Sequence, residues 1–425
     1  MSLESDFETA LATARTSVAS KLSSLPKDDV DLVETGALDS MAWVDTLISI
    51  ESATGIRDFG NPWPENRPKT IRSLVDMIRE AQEPSPEEKP RARAAGRAGS
   101  ERDITVDGWG YTLGSLAVDA EQIERDMALP LRKIRDGAGI QSVRIAADGE
   151  DELALAQRAA DIALEVAKVS VERIDFLVAT STTFLGYPSF AASLHSRLLL
   201  RETSGALDVG GACAGLIYSL AVAKSLLRTS RQGVALVVAA EVHSRRLDAP
   251  LVPGEFRGLF GDGACAFVLT NAATDARDGC VRLQEFVWGC SGTFASSLGI
   301  HMSDDSGLNI QFKGEQLAHA AVTEMDRIIG TLENLSAKPR SEVDYFALHQ
   351  PNPRVVEILA EKASIPLERI PLASKTCGNL GSVTCGASLC QVLDSRRMIR
   401  DQSRRPLIFM VAVAPGLLWG GAFLN

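Results

Sequence analysis

What this sequence has little of narrows its class first. No apolar run comes near the ~18 residues that a membrane-spanning helix needs, so a bilayer span is not expected. Met1 to Glu8 carries acids and no apolar stretch, unlike a secretory leader. A cytoplasmic location is the resulting expectation. Cysteines number seven, an odd count without metal-ligand spacing, which favours reduced thiols over a disulfide framework. Cys377, Cys385 and Cys390 stand too far apart for a zinc knuckle and have no paired histidine. A basic surplus is also missing: the net charge of −11 argues against nucleic acid as a partner. Histidine is rare, with five in the chain, so the place of each is informative.

What is present suits a protein with sizeable cores, 45% hydrophobic, and the 425 residues suggest two or three domains. Glu83 to Arg102 reads EPSPEEKPRARAAGRAGSER, with three prolines, dense charge and no large apolar side chain. Such a segment cannot bury enough surface to offset the entropy of ordering, and it reads as a solvated linker. Residues 1–82 before it show helical periodicity at about Leu3–Leu25, Ser40–Ser52 and Ile71–Ala81, with prolines kept to the joints. This front unit is acidic, with 14 Asp and Glu against 8 Lys and Arg. Asp39-Ser40-Met41 opens its second helix, where Asp39 or Ser40 would serve as N-cap.

Residues 103–425 alternate apolar strands with longer helical runs. Strands are predicted at Ile174–Ala179, Val234–Ala239, Ala264–Leu269, Tyr345–Leu348 and Ile408–Val413. Helices are predicted at Glu152–Ala167, Phe190–Leu200, Gly215–Leu227, Glu315–Leu332 and Pro353–Lys362. Alternation with buried strands indicates a layered α/β fold, in halves of about 103–275 and 276–425.

Three positions carry chemistry. Cys213 lies in Leu207-Asp208-Val209-Gly210-Gly211-Ala212-Cys213-Ala214-Gly215-Leu216, between a strand-like and a helix-like run. A small thiol at a helix N-terminus is expected to be favoured as thiolate, the nucleophilic form; a lone cysteine is otherwise usually buried and inert. His349 ends the apolar run Tyr345-Phe346-Ala347-Leu348, at a strand end where α/β folds place chemistry. Asn379 sits in the glycine-flanked Cys377-Gly378-Asn379-Leu380-Gly381. A Cys can attack an acyl thioester, and neutral His and Asn can both donate to a developing enolate.

In this order the residues resemble beta-ketoacyl-acyl-carrier-protein synthase III, a thiolase-fold family. The resemblance is carried by Gly139-Ile140 with Arg144-Ile145-Ala146, by Val178-Ala179-Thr180-Ser181-Thr182, and by Ala212-Cys213-Ala214-Gly215. It continues through Ala239-Ala240-Glu241-Val242-His243-Ser244, Phe260-Gly261-Asp262-Gly263-Ala264, His349-Gln350-Pro351-Asn352, Gly378-Asn379 and Trp419-Gly420. The front unit resembles an acyl carrier protein, with Gly36-Ala37-Leu38-Asp39-Ser40-Met41 in place of that family's Asp-Ser-Leu motif.

The resemblance implies a duplicated α/β/α/β/α layered fold preceded by a small helical bundle. It implies that Cys213 takes an acyl group and that His349 and Asn379 stabilise the enolate left by decarboxylation of a malonyl thioester. Ser40 would carry 4′-phosphopantetheine. Substrates would be acyl and malonyl thioesters on carrier proteins or CoA, and the protein would be a homodimer. Tyr187 resembles an aromatic that crosses the dimer interface, Arg354, just after Asn352, an arginine that meets the ligand's pantetheine or phosphate arm, and Gly416 lies in the turn that completes the oxyanion hole. A 20-residue linker spans about 25 Å as a coil and holds a fused carrier at roughly millimolar local concentration.

Two departures stand out. The run Leu131–Ile140 has no Trp, and Gly137 falls where CoA-primed members have Arg. A carrier-borne donor gains weight, with Arg132, Lys133 and Arg135 as a docking patch for an acidic carrier. Before Trp419 the chain reads Val413-Ala414-Pro415-Gly416-Leu417-Leu418, and proline has no N–H to donate. The functional expectation is a condensing enzyme of polyketide or specialised lipid biosynthesis. The alternatives are a same-scaffold acyltransferase that moves acyl groups to a carrier, alcohol or amine without decarboxylation, and a non-catalytic carrier scaffold.

Overall fold

The computed structural model describes parts of residues 11–22 and then 27–54, 69–81, 103–230, 233–248, 252–271, 280–292, 298–303, 307–398 and 405–425. The predicted helix at Leu3–Leu25 lies largely outside these, as does the linker 83–102. The chain divides into two compact units, residues 1–100 with 313–323, and residues 101–312 with 324–425.

In the smaller unit, helices α1 (Ser40–Thr54) and α2 (Ile71–Ala81) enclose an apolar core of Leu32, Leu38, Trp43, Leu47, Ile50, Ile71, Leu74 and Ile78. Asp31 organises the loop ahead of α1: Oδ1 accepts Val33 N–H (3.0 Å) and Glu34 N–H (2.9 Å), and Oδ2 accepts Lys69 N–H (2.8 Å).

The larger unit begins with β1 (Thr105–Leu113), β2 (Leu116–Asp119), α3 (Ala120–Asp126), β3 (Ser142–Ile145) and α4 (Glu152–Ala167). It continues through β4 (Phe176–Thr180), α5 (Phe190–Arg197), β5 (Gly205–Asp208), α6 (Gly215–Thr229), β6 (Val234–Val242) and β7 (Asp262–Thr270). The second part holds β8 (Val281–Cys290), β9 (Leu298–Ser303), β10 (Gly307–Phe312), α7 (Gly314–Ser336), β11 (Tyr345–Leu348) and α8 (Pro353–Lys362). It ends with α9 (Thr384–Met398), β12 (Ile408–Ala414) and β13 (Leu418–Leu424).

Nine strands form one mixed sheet in the order β11-β12-β13-β8-β1-β7-β6-β4-β5. β5, β4 and β6 run parallel, as do β11 and β12; the other neighbours are antiparallel. Among the described residues, the two groups of strands join at Thr105–Arg282 and Val106–Val281, between β1 and β8.

Period-2 side-chain alternation explains the layers. In β6, Ala235, Val237 and Ala239 enter one core, while Leu236, Val238 and Ala240 enter another. β7 repeats this, Cys265, Phe267 and Leu269 facing one way and Ala264, Ala266 and Val268 the other. The first core is shared with α6, α9, β12 and β13; the second is covered by α4 and α5. Strands buried on both faces carry no polar side, hence their continuous apolar runs.

Glycines set the closest approaches. A Cβ on Gly108 would stand 2.1 Å from the Ala163 carbonyl oxygen, and one on Gly110 2.5 Å from that of Ala159. α4 therefore packs directly on the β1 backbone. On β13, a Cβ at Gly421 would stand 2.5 Å from Ile328 Cγ2 of α7.

Candidate active site

The Cys213 corner is built from small residues. Val209 N–H bonds the Ala179 carbonyl (2.8 Å), so the chain leaves β5 still tied to β4. A single 3-10 turn, Ala212–Ala214, leads into α6, and Ala212 holds φ 45°, a left-handed conformation unusual for a residue with a Cβ. Gly215 opens α6 because a Cβ there would lie 2.4 Å from Thr180 Oγ1.

Cys213 is only partly covered as a residue, yet its thiol is pushed up to about 12, by burial first and then by the carboxylate of Glu241 and the thiol of Cys385. This corrects the expectation of a resting thiolate. The helix N-terminus favours the anion by at most ~2 kcal/mol, and desolvation with a neighbouring negative charge outweighs that.

His349 continues β11, its N–H bonding the Val411 carbonyl (2.8 Å), and is 2% exposed. Burial pushes its imidazole down to about 4; His243 lowers it further and the Gly381 main chain opposes. The ring is neutral at physiological pH, and Nδ1 is buried without a hydrogen bond of good geometry. Gln350 braces the strand end: its amide donates to the Pro371 carbonyl (2.5 Å) and Ser388 Oγ (3.0 Å), and its oxygen accepts Ser374 N–H (3.1 Å) and Oγ–H (3.0 Å).

Asn379 is clamped through its main chain, donating to the Leu259 carbonyl (2.8 Å) and accepting Gly261 N–H (3.0 Å). Its Oδ1 accepts Gly381 N–H at 2.9 Å. The side-chain NH2 is thereby left as the outward donor. Gly378 at φ 74° and Gly381 at φ 58° are required in these turns, and a Cβ at Gly381 would strike the His243 ring at 2.8 Å. The turn Gly381–Val383 packs against the Cys213 turn, which also meets β12 and β13. The three predicted residues therefore converge around the Gly381–Val383 turn.

Glu241, near the end of β6, is fully buried against this cluster. Motif order alone gives it no role, but it is the lone charge in the strand Val-Ala-Leu-Val-Val-Ala-Ala-Glu-Val.

The β12–β13 connection is Pro415-Gly416, with Gly416 at φ 90° and ψ 2°, the third residue of a type II turn. Pro415 stands there without an N–H, and the Cys290 thiol bonds the Gly416 carbonyl (3.4 Å). Asn352 is the N-cap of α8, its Oδ1 accepting Val355 N–H (2.9 Å). Arg354 pairs with Glu357 (3.1 Å), and Tyr187 is fully exposed beside the exposed Leu185.

Arg132, Lys133 and Arg135 lie at the surface beside acids: Arg132 pairs with Asp136 (2.7 Å), Lys133 with Glu255 (3.5 Å) and Arg135 with Glu121 (2.5 Å). Their loop is fastened by Glu124, which accepts N–H groups of Arg132 (2.8 Å), Ile134 (2.8 Å) and Arg135 (3.1 Å). In the smaller unit, Asp39 Oδ1 accepts Ala42 N–H (2.7 Å) and is the N-cap of α1, while half-buried Ser40 is its first residue.

Two family models of 3-oxoacyl-[acyl-carrier-protein] synthase III match, one over residues 207–292 and its C-terminal companion over 335–425. A beta-ketoacyl-[acyl-carrier-protein] synthase III of Alkalilimnicola ehrlichii is 32% identical over 337 residues, covering 75% of this chain and 98% of that protein. The chain belongs to the beta-ketoacyl-[acyl-carrier-protein] synthase III family. The family member of Wolbachia pipientis is 31% identical over 297 residues, covering 69% of this chain and 89% of its own length. The crystal structure of synthase III (FabH) from Pseudomonas aeruginosa superposes with TM-score 0.67 at 25% identity, over 76% of this chain and 98% of that one. OleA of Xanthomonas campestris, at 17% identity and TM-score 0.67, covering 76% and 98%, shares the fold. The thiolase-like fold with its mixed sheet follows. Among the described residues, no helix of this synthase III member is long and apolar enough to cross a membrane.

Proposed function

We propose that the larger unit is a decarboxylative condensing enzyme with Cys213 as acyl acceptor. The observation that carries this reading is the Gly381 N–H held by Asn379 Oδ1, which leaves the Asn379 NH2 as donor on a turn packed against the Cys213 corner, with His349 buried and neutral. In the first step the Cys213 sulfur attacks an acyl thioester, and its proton leaves with the departing thiol. In the second, a malonyl thioester loses CO₂, and the bonding pair stays on the carbon as an enolate. A ring N–H of His349 and the Asn379 amide donate to the enolate oxygen; a carboxylate or an unprotonated acceptor there would raise the barrier. The carbanion attacks the acyl-Cys213 carbonyl, a beta-ketoacyl thioester departs, and the Cys213 thiolate takes up a proton.

The smaller unit is read as a carrier. Ser40 fits that role, since Asp39 already caps α1 and the helix N-terminus favours phosphate. When attached, 4′-phosphopantetheine supplies a thiol on a flexible arm. Acyl and malonyl thioesters, a homodimer built around Tyr187, contacts at Asn352, Arg354 and Gly416, and a place in polyketide or specialised lipid biosynthesis belong to the same reading.

Incubation of the protein with short acyl and malonyl thioesters, followed by intact-mass and product analysis, tests it. Condensation yields CO₂ and a beta-ketoacyl thioester, and Cys213→Ala abolishes both the acylated protein and the product. Acyl transfer without CO₂ would overturn the reading in favour of a plain acyltransferase.

A further inference from the structure

We propose that Glu241 is a positioning residue, a buried carboxylate that holds the Asn379 loop to the end of β4 and fixes a negative charge beside Cys213; only the kinetic part of its test rests on the condensing reading.

All nine positions of β6 are buried, and eight are Val, Leu or Ala. A carboxylate in such a strand costs several kcal/mol unless its oxygens are bonded. Glu241 meets that cost with hydrogen bonds rather than a cation, since no ion pair to it occurs among the described residues. Oε2 accepts Thr182 N–H (2.9 Å), Thr182 Oγ1–H (2.7 Å) and Thr183 N–H (3.1 Å). Oε1 accepts Ser382 Oγ–H at 2.6 Å.

The two oxygens thus grip two different elements. Thr182 and Thr183 follow β4, whose Thr180 hydroxyl occupies the space left by Gly215 at the start of α6. Ser382 lies in the turn that packs on the Cys213 corner, next to the Gly381 whose N–H orients Asn379. A Cβ on Gly381 would lie 3.3 Å from Glu241 Cγ and 2.8 Å from His243 Cε1, so the turn is seated between these side chains. Every hydrogen bond to the carboxylate comes from a neutral donor. The groups bearing on the Cys213 thiol are Glu241 from β6 and Cys385 from α9. Removing the charge and weakening the grip are therefore separable operations.

Glu241→Gln keeps the shape: the amide oxygen accepts from Thr182 and Thr183, and the amide nitrogen donates to Ser382. Its charge is gone. The rate of Cys213 alkylation by iodoacetamide at pH 8.5, read by intact mass, should rise about tenfold. Glu241→Asp keeps the charge and shortens the reach, so this rate stays at the wild-type value. Decarboxylation of a malonyl thioester by this variant should fall about tenfold relative to Cys213 acylation, the effect of a lost hydrogen bond to the Asn379 loop. Ser382→Ala should lower the same ratio by a similar factor, and it serves as the second measurement if either Glu241 variant fails to fold. A purely structural role predicts loss of soluble protein with no change in alkylation rate or ratio among the survivors. An unchanged alkylation rate in Glu241→Gln, together with an unchanged ratio in Ser382→Ala, overturns the assignment. If the wild-type protein does not decarboxylate malonyl thioesters, the condensing reading fails, while the alkylation rate still decides the role of Glu241.

Discussion

Gly381 donates its N–H to Asn379 Oδ1 at 2.9 Å, so the backbone of this turn decides which end of the amide faces outward. Asn379→Asp keeps an oxygen for Gly381 and replaces the outward donor with an acceptor. The variant should fold and acylate Cys213, and its malonyl decarboxylation rate should drop by about 10²–10³, the effect of losing one oxyanion donor. Stopped assays of the two half-reactions check this; equal losses in both would count against it.

His349 makes stability depend on acidity in a defined window. Its imidazole is depressed to about 4 from an ordinary 6.5, so the folded state binds its proton later than the unfolded state. The stability it contributes is present above pH 6.5 and is lost as pH falls through 4. The full effect is on the order of 3 kcal/mol. Denaturant melts of wild type and His349→Gln between pH 7.5 and 4 should diverge in that sense, the variant losing about 3 kcal/mol less.

Cys213 should behave as a slow thiol at neutral pH. Its alkylation rate should rise about tenfold per pH unit from 7 to beyond 10, without a plateau near 8.5, because the thiolate form grows through that whole range. A plateau below pH 9 would show a stabilised thiolate instead.

Ser40→Ala separates the carrier reading from the synthase reading. The variant should resist phosphopantetheinylation by a transferase with CoA, with no mass increase, while Cys213 acylation by free thioesters stays within about twofold of wild type. Intact-mass spectra of the two proteins give the answer.

Gly108→Ala tests the contact between α4 and β1. The added methyl would stand 2.1 Å from the Ala163 carbonyl oxygen, a backbone atom that cannot rotate away. A loss of about 3 kcal/mol is expected in chemical denaturation, with reduced soluble yield.

Much of this architecture was legible where local signals agree with packing. The bounds read for Glu152–Ala167 and Pro353–Lys362 match α4 and α8 because each has a working N-cap: Asp151 accepts Ala154 N–H and Asn352 accepts Val355 N–H. The helix read to Leu200 ends at Arg197, where the chain turns and Leu199 adopts φ 54°. β1 and β13 escaped notice because Gly108, Gly110, Gly420 and Gly421 look like strand breakers, yet all four face neighbouring helices: Gly108 and Gly110 α4, Gly420 α6 and Gly421 α7. The proximity of Cys213, His349 and Asn379 was readable from motif order. The ionisation state of Cys213 was not, because burial and the Glu241 charge arise from segments remote in sequence. The ion pairs of Arg132, Lys133 and Arg135 escaped for a related reason, two of the three acids lying outside their own loop.

A sulfur kept protonated has a consequence outside the reaction itself. Peroxide attacks thiolates and leaves thiols largely alone, so the first rung of the oxidation ladder, the sulfenic acid, is slow to form at Cys213. The same desolvation that delays its ionisation spares the residue from oxidants, and the enzyme should retain its titratable Cys213 thiol under peroxide exposure that inactivates proteins with a standing thiolate.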